Sequence, residues 1–228
     1  MSSMSFEETV FARRSVRGFL DKPVPQELMN HVFEVAARSP SGTNLQPWET
    51  CVASGATRDY LRSEFMDRVS KGVKPNTDHQ SDGKLSEHYK ERRRGCARVL
   101  YDAMGIAWED KPARAKAGFR NFELFDAPHV AFFCIHESFG VQSACDVGMY
   151  TQTLMLAMTA NGLASCAQGT MRNYPDLVRE VFDLPPEMKV LYGLSFGYED
   201  VSMPVNKAYT ERAALAENVH FKSELKTC

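Results

Sequence analysis

The chain has 228 residues, of which 43% are hydrophobic and 25% charged, with a net charge of −2 and a pI near 6.3. This length allows one domain with a sizeable core. The near-neutral charge argues against a general nucleic-acid binder or a protein that lies on membrane surfaces.

The N-terminal residues Met1–Glu8 are polar and lack the apolar core of a signal peptide. The longest weakly polar run, Val147–Ala160, is too short and too interrupted to cross a bilayer. No two of the six cysteines have CxxC spacing, which argues against a zinc site or a thioredoxin-like motif. A soluble cytoplasmic protein in a reducing compartment, with no metal site, is therefore expected.

The first predicted helix, Ser5–Arg13, carries Phe6, Thr9 and Val10 at helical spacing. Ser5 as the N-cap and Glu8 three residues later form the pattern of a capping box. The helix leads directly into a short basic segment, whose conformation decides what that segment can bind.

The segment Arg13-Arg14-Ser15-Val16-Arg17 combines three guanidinium groups with a hydroxyl. If the chain is extended here, Arg13, Ser15 and Arg17 share one face, because alternate side chains of extended chain point the same way. Such a face fits a phosphate, since guanidinium donates forked, charge-assisted hydrogen bonds. A solvated basic helix end is the alternative interpretation.

Hydrophobic periodicity and turn residues predict the remaining elements. Helices are predicted from about Pro25 to before Ser39-Pro40, and at Ala56–Val69, through Lys90 to Met104, and at Lys111–Phe125, Gln142–Asn161 and Tyr174–Phe182. Strands are predicted at Trp48–Ala53, Pro128–Ile135, Leu163–Gln168 and Lys189–Tyr198. Residues 71–86 are predicted to be an exposed loop, and 202–228 a polar tail that packs on something, such as a second subunit.

Two of these elements have few polar residues. The near-continuous apolar strand Pro128–Ile135 indicates a sheet covered by helices on both faces. The helix Gln142–Asn161 is apolar nearly all round and is expected to be buried and central. Asp146 within it needs a partner, and we expect its role to be structural. Helices around a small sheet make an α+β domain that spans residues 1–228.

A second motif is the stretch Ser39-Pro40-Ser41-Gly42-Thr43-Asn44-Leu45-Gln46-Pro47-Trp48. Together with Arg13–Arg17, it resembles the paired signatures of the flavin-dependent nitroreductase family. Later matches follow in order: Ala127-Pro128, Asp146-Val147-Gly148, Gly162-Leu163, Gly193–Tyr198, Asn206 and Arg212. The longer middle segment is most similar to that of the nitrobenzoate-reductase-like subgroup.

The resemblance implies a nitroreductase-like fold, with a small mixed sheet flanked by helices, a central helix and an intertwined homodimer that binds FMN at its interface. It also implies a ping-pong reaction in which NADPH or NADH reduces the flavin at N5. A nitroaromatic compound is then reduced to the nitroso and hydroxylamine forms. The chemistry belongs to the cofactor, which the protein positions and tunes.

The same resemblance assigns roles to individual residues. It places Arg13, Ser15 and Arg212 at the ribityl phosphate, and Arg17 at the N1/O2 edge of the flavin ring, where a permanent cation stabilises the reduced form. The other expected cofactor contacts are Arg14, Asn121, Gln168 and Gly169, with Pro40, Ser41, Gly42 and Asn44 from the partner subunit. Gln168 replaces a glutamate of well-known members, which should matter little if the contact is through the backbone.

The substrate-side candidates are Tyr101 and Trp108 in the middle segment and Phe122 in the Phe119, Phe122, Phe125 series. A helical aromatic series also fits a core face, and the basic residues Arg92–Arg94 fit a solvated helix face better than a substrate contact. No side chain is nominated as catalytic.

Two alternatives to nitro reduction remain open from the sequence. The same flavin scaffold could act on enones, quinones or halogenated phenols, or degrade its flavin with oxygen. The protein could also be a non-catalytic, flavin-binding regulatory dimer.

Overall fold

The computed structural model describes residues 4–80 and 83–224. Its sheet contains β1 (Glu49–Ser54), β2 (His129–His136), β3 (Ala164–Gln168) and β4 (Met188–Gly197), in the order β1-β2-β4-β3. All three pairings are antiparallel, so the prediction of a mixed sheet is wrong for these strands. Parallel pairing among the described residues is limited to one isolated bridge, between Ser15 and Ser165 at the β3 edge of the sheet.

Helices cover both faces of this sheet. They are α1 (Phe6–Ala12), α2 (Gln26–Ala36), α3 (Gly55–Ser70), α4 (Glu87–Ala103), α5 (Lys111–Phe119), α6 (Val141–Ala160), α7 (Pro175–Val181) and α8 (Leu215–Asn218). Short 3₁₀ turns lie at Gly42–Asn44, Leu124–Asp126, Gly169–Arg172 and Pro204–Lys207. The element types and order agree with the α+β prediction.

The central strand β2 explains the layering. Its side chains alternate between two cores: Ala131, Phe133 and Ile135 pack with α2 and α6, whereas Val130, Phe132 and Cys134 pack with α3 and α7. Because successive side chains of a strand point to opposite faces, a strand between two helical layers is apolar at nearly every position. The predicted burial of β2 on both faces is confirmed.

The capping box fixes the start of α1. The Ser5 hydroxyl accepts a hydrogen bond from the Glu8 backbone at 3.2 Å, and the Glu8 carboxylate accepts one from the Ser5 backbone at 2.7 Å. The helix ends at Ala12, and Arg13 has extended backbone angles (φ −62°, ψ 123°). The basic segment therefore leaves the helix in the extended form that a phosphate-binding face requires.

The predicted helix Lys111–Phe125 is too long. The helix α5 ends at Phe119, and Leu124, Phe125 and Asp126 take left-handed backbone angles, with φ of 56°, 54° and 64°. Such angles cost free energy in residues with a side chain. Core burial explains the break, because Leu124 is fully buried and Phe125 only 3% exposed.

The helix α6 is not buried all round in the single chain. One face, including Val147, Tyr150 and Leu154, lies in the core, while Val141 is 81% and Met149 41% exposed. The prediction from apolar composition therefore holds for one face only. Among the described residues, no helix is long and apolar enough to cross a membrane.

The tail begins by packing on its own chain. Val205 and Asn206 are buried, and farther along Arg92 of α4 forms an ion pair of 3.1 Å with Glu217. Phe221 is 86% exposed. Packing of the tail on a second subunit stays a prediction for its exposed part, and residues 225–228 lie outside the described range.

Candidate functional site

Two adjoining cavities lie where the basic segment passes beneath α4. The smaller cavity, about 150 Å³, has a mixed polar and apolar lining, and the larger, about 440 Å³, is mostly apolar. Arg17 and Leu100 line both, so these residues stand at the junction. No acidic residue of the described chain lines either cavity.

The smaller cavity gathers the groups predicted to hold a phosphate. Its lining includes Arg13, Arg14, Ser15, Arg17 and Arg212. The Arg14 guanidinium is oriented by Glu199, with a nitrogen–oxygen distance of 2.5 Å. Its Nη1 is buried and has no hydrogen-bond partner among the described residues. A buried donor without a partner is costly, and a phosphate oxygen would satisfy it, so this donor set fits a phosphate monoester.

Asn206 holds the backbone of the basic segment in place. Its Oδ1 accepts a hydrogen bond from the Arg17 backbone N–H at 2.8 Å. Its Nδ2 donates to the carbonyl oxygens of Gly18 and Asp200 at 2.8 and 2.9 Å. A Cβ at Gly18 would lie 2.6 Å from Met203, so only glycine allows this close approach.

The Arg17 side chain is also oriented by its own segment, because its Nη1 donates to the Ser15 carbonyl at 3.1 Å. Behind it, burial raises the pKa of the Cys166 thiol, an effect that Arg17 and Ser15 partly oppose. The thiol is thus held neutral and is no candidate nucleophile. Among the described residues, no cluster of His, Cys, Asp and Glu could hold a metal ion.

The larger cavity is bounded by α4 and its following turn, by α5, and by the turns at 124–126 and 204–207. Its walls are mainly apolar, including Leu100, Met104, Ile106, Phe125 and Val205. Its volume and composition are typical of a small-molecule site. An apolar cavity joined through Arg17 to a phosphate-binding one suits a planar ring that carries a phosphate chain.

The sequence-predicted Asn121 lies on this larger cavity. Its Nδ2 donates to the Gly118 carbonyl at 3.1 Å, and its backbone carbonyl accepts from Gln168 Nε2 at 2.8 Å. Gln168 Oε1 in turn accepts from the Ser195 hydroxyl at 2.5 Å. Gln168 and Gly169 line neither cavity, and Gln168 instead positions Asn121.

The predicted substrate-side residues are separated by the structure. Tyr101 lines the larger cavity, and Trp108 lies beside it with the ring centroids 6.0 Å apart. Phe122 is 9% exposed and packs against Tyr174 in the core, with centroids 6.4 Å apart. Phe122 is therefore a core residue, and Phe125 from the same aromatic series lines the cavity instead.

The second motif lies elsewhere in the single chain. Gly42 donates its backbone N–H to Asp146 on α6 at 3.1 Å, which confirms that the buried carboxylate has a structural partner. None of Pro40, Ser41, Gly42 and Asn44 lines the two cavities. Residues expected to contact one cofactor therefore fall into two groups.

Sequence reasoning assigned no role to Asn206, Arg120 or Lys116. The family resemblance marked Asn206 as a matching residue but gave it no role. Lys116 lies on an exposed helix turn, where no spacing pattern marks a contact. Arg120 lines the cavity and pairs with Asp126 at 2.7 Å and Glu123 at 3.4 Å. The close Arg–Glu–Asp spacing could have signalled a local ion-pair cluster, but not its place on the cavity.

We compared the sequence and the structure of this chain with those of known proteins. Residues 10–198 match the model of the nitroreductase family. The chain belongs to the nitroreductase family. One curated relative, the nitroreductase NfnB of Mycolicibacterium smegmatis, is 37% identical over 215 residues, which cover 94% of this chain and 92% of the relative.

Other members of the family are similar to this chain in sequence and in structure. A 4-nitrobenzoate reductase of Nocardioides sp. is 32% identical, over 95% of this chain and 90% of its own. The crystal structure of FMN-dependent NfnB from Mycobacterium smegmatis with NADPH has a TM-score of 0.90 and 36% identity, covering 95% of this chain and 97% of its own. The FMN- and NADPH-dependent NfnB from Sphigopyxis sp. strain HMH has a TM-score of 0.91 and 33% identity, over 97% and 100%. These neighbours confirm the predicted family and fold.

Proposed function

We propose that this protein is an FMN-dependent nitroreductase that transfers electrons from NADPH or NADH to nitroaromatic compounds. The observation that best supports this proposal is the pair of cavities that share Arg17. One cavity is lined by arginines without a carboxylate, and the other is mostly apolar. Family membership and the FMN- and NADPH-dependent enzymes among its relatives support the assignment.

The smaller cavity supplies the grip on the cofactor's phosphate. Arg13, Ser15 and Arg212 line it, and Arg14 adds the buried Nη1. Charge-assisted bonds of this kind are stronger than neutral ones. These groups come from the two ends of the chain, so the tail must be in place before the phosphate is fully held.

Arg17 places a permanent positive charge at the junction of the cavities. Bound FMN supplies the two-electron chemistry. The role of Arg17 is to stabilise negative charge at the pyrimidine edge of the ring, while Asn206 and the Ser15 carbonyl keep its charge in position. The apolar walls exclude water from the same space and leave a surface for an aromatic acceptor.

Homodimer formation is part of the proposal. Pro40, Ser41, Gly42 and Asn44 lie away from the cavities of their own chain, and a second copy could bring them to the flavin. Beside them, α1 and α6 contact each other. Both helices expose large apolar side chains, namely Phe6, Phe11, Val141 and Met149, and exposed apolar surface of this kind is typical of subunit interfaces.

Related observations support the proposed electron donor, electron acceptor and location. A structural neighbour solved with NADPH supports that donor, and a 4-nitrobenzoate reductase among the relatives supports a nitrobenzoate-type acceptor. We infer a cytoplasmic location because the five described cysteines are all unpaired, as is usual in reducing compartments.

The direct test is a spectral titration of the purified protein. We expect yellow protein whose flavin absorption bleaches under anaerobic NADPH and returns on addition of 4-nitrobenzoate. Initial rates with both substrates varied should give the parallel double-reciprocal lines of a ping-pong reaction. Colourless protein that also fails to bind added FMN would reject the proposal. Rapid turnover of an enone or halophenol without nitro reduction would assign the fold to another acceptor.

A further inference from the structure

The charges around the larger cavity are all of one sign. Its lining contains three cationic residues, Arg17, Lys116 and Arg120, and no acidic residue of the described chain. Two of these cations, Arg17 and Arg120, are accounted for by other interactions. Arg17 lies at the junction with the phosphate-binding cavity, and Arg120 is compensated by ion pairs with Asp126 and Glu123.

The side chain of nearby Arg114 also has partners, because it packs on two aromatic rings. Its guanidinium lies 4.7 Å from the centre of the Trp108 ring and 5.7 Å from that of Tyr101. Cation–π contacts of this kind hold the guanidinium against the aromatic pair. Arg114 is not among the residues that line the cavity.

Lys116 is different from these three arginines. It lies in the last turn of α5, and no described residue forms an ion pair or hydrogen bond with its side chain. The residues near it in sequence that also line the cavity include the small residues Ala113, Ala117 and Gly118. A lysine stem packs readily along apolar surface while its charged end stays free.

We propose that Lys116 is a specificity-determining residue that binds a carboxylate carried by the aromatic acceptor. The inference deepens the proposed nitroreductase function and rests on it. An aromatic ring fits the apolar walls, and an anionic substituent on that ring would find Lys116 as the free cation of the described lining. The cavity then selects nitroarene carboxylates over neutral nitroarenes.

A charge-neutral substitution compared on two acceptors tests this role. In the FMN-loaded enzyme, Lys116→Gln should raise the KM for 4-nitrobenzoate about 10-fold, since a charged hydrogen bond is worth about 1.5 kcal/mol. The KM for the neutral isostere 4-nitrobenzamide should change less than about 2-fold. Lys116→Glu should raise the KM for 4-nitrobenzoate further. Lys111→Gln, on the same helix but outside the cavity lining, is the matched control and should change neither value.

Three results would overturn the inference. A raised KM for NADPH but not for NADH would make the 2′-phosphate of the donor the ligand of Lys116. A higher dissociation constant of FMN for the Lys116→Gln variant would make Lys116 a cofactor contact. An equal change in the KM for 4-nitrobenzoate and for 4-nitrobenzamide would show that Lys116 affects only the shape of the cavity and does not bind the carboxylate.

The test separates this inference from the proposed function. Absence of turnover with every acceptor would reject the function itself. Calorimetric dissociation constants of 4-nitrobenzoate and 4-nitrobenzamide for the unsubstituted and Lys116→Gln proteins would then decide the carboxylate contact alone. Loss of the preference for 4-nitrobenzoate in the variant supports the contact, and an unchanged preference overturns it.

Discussion

The arginines of the basic segment occupy three environments although they lie within five residues. Arg13 faces the smaller cavity and has no ion-pair partner among the described residues. Arg14 is oriented by Glu199, and Arg17 stands between the two cavities. Equivalent side chains therefore have different expected roles, and substitution can separate them.

The first prediction compares Arg13→Ala with Arg17→Ala. Loss of Arg13 should weaken FMN binding about 10-fold to 100-fold, since a hydrogen bond to a charged group contributes about 1.5–3 kcal/mol. Loss of Arg17 should leave much of the flavin bound but slow its reduction by NADPH. Fluorescence titration with FMN and stopped-flow absorbance measure the two effects. Arg38→Ala, at an exposed position beyond α2, is the control. Equal flavin loss in both variants, with normal turnover of what remains, would contradict this division.

The second prediction concerns Asn206, which is 5% exposed and uses both amide hydrogens and its oxygen in hydrogen bonds. Asn206→Ala would leave buried backbone groups unpaired, each costing about 1–3 kcal/mol. The midpoint of chemical denaturation should fall, and FMN affinity should fall with it because the backbone of the segment that carries Arg13, Ser15 and Arg17 loses its anchor. Asn30→Ala on the exposed side of α2 should change neither measurement. A variant with normal stability and normal FMN affinity would remove Asn206 from the positioning of the segment.

At the scale of elements, a single side chain joins β2 to two neighbouring segments. His129 is 3% exposed at the start of β2. Its Nε2 accepts the Val24 backbone N–H at 2.8 Å, so Nδ1 carries the proton and donates to the Ser54 hydroxyl at 2.5 Å. Burial, with a smaller contribution from Arg58, lowers the pKa of His129. The neutral ring is the form that the fold requires.

This geometry predicts a pH dependence of stability. A histidine whose folded pKa lies below its unfolded value, about 6.5, contributes fully above the unfolded pKa. That contribution is lost as the pH falls towards the folded pKa, because the unfolded chain binds the proton more readily. The free energy of unfolding should drop between pH 7.5 and 5.5, and the drop should be smaller in His129→Gln. Urea denaturation at fixed protein concentration measures it.

A matched variant controls for other groups that titrate in this range. His31 is exposed on α2, and His31→Gln should keep the pH dependence of the unsubstituted protein. An identical drop in the His129→Gln variant would show that the histidine does not couple stability to pH.

At the scale of the whole molecule, the proposed dimer would bring the two groups of predicted flavin contacts together. The cavities lie along the basic segment, whereas the Pro40–Asn44 turn is anchored on α6 through Asp146. The helix α6 also contacts α1, and both helices expose large apolar side chains. A dimer formed through this face would cover apolar surface and complete the flavin site at once.

The dimer prediction is tested on Met149, which is 41% exposed on α6. Met149→Glu places a charge in the proposed interface, where burial without a partner is costly. We expect light scattering to show a dimer for the unsubstituted protein and a shift towards monomer for the variant, with loss of bound FMN. Tyr60→Glu, on α3 across the sheet, is the control. A monomeric variant that retains its flavin would separate cofactor binding from the dimer.

Much of the fold could be predicted because its signals are local. The capping box of α1, the apolar alternation of the strands and the turn residues between elements are all read from neighbouring positions. The prediction was wrong for the end of α5, where helical spacing continued but burial of Leu124 and Phe125 imposed left-handed backbone. Tertiary packing overrode local preference there, and with it the role of Phe122.

The sequence by itself determined the family, the order of the helices and strands, and the grouping of three arginines with a serine in one short segment. These depend on residue type and on short spacings, which the chain carries wherever it folds. Only the tertiary structure decided that Arg17 stands between two cavities, that Asn206 anchors its backbone, and that Lys116 lines the larger cavity without an ion-pair partner among the described residues. Those facts depend on distances between residues up to 189 positions apart, and no local pattern encodes such distances.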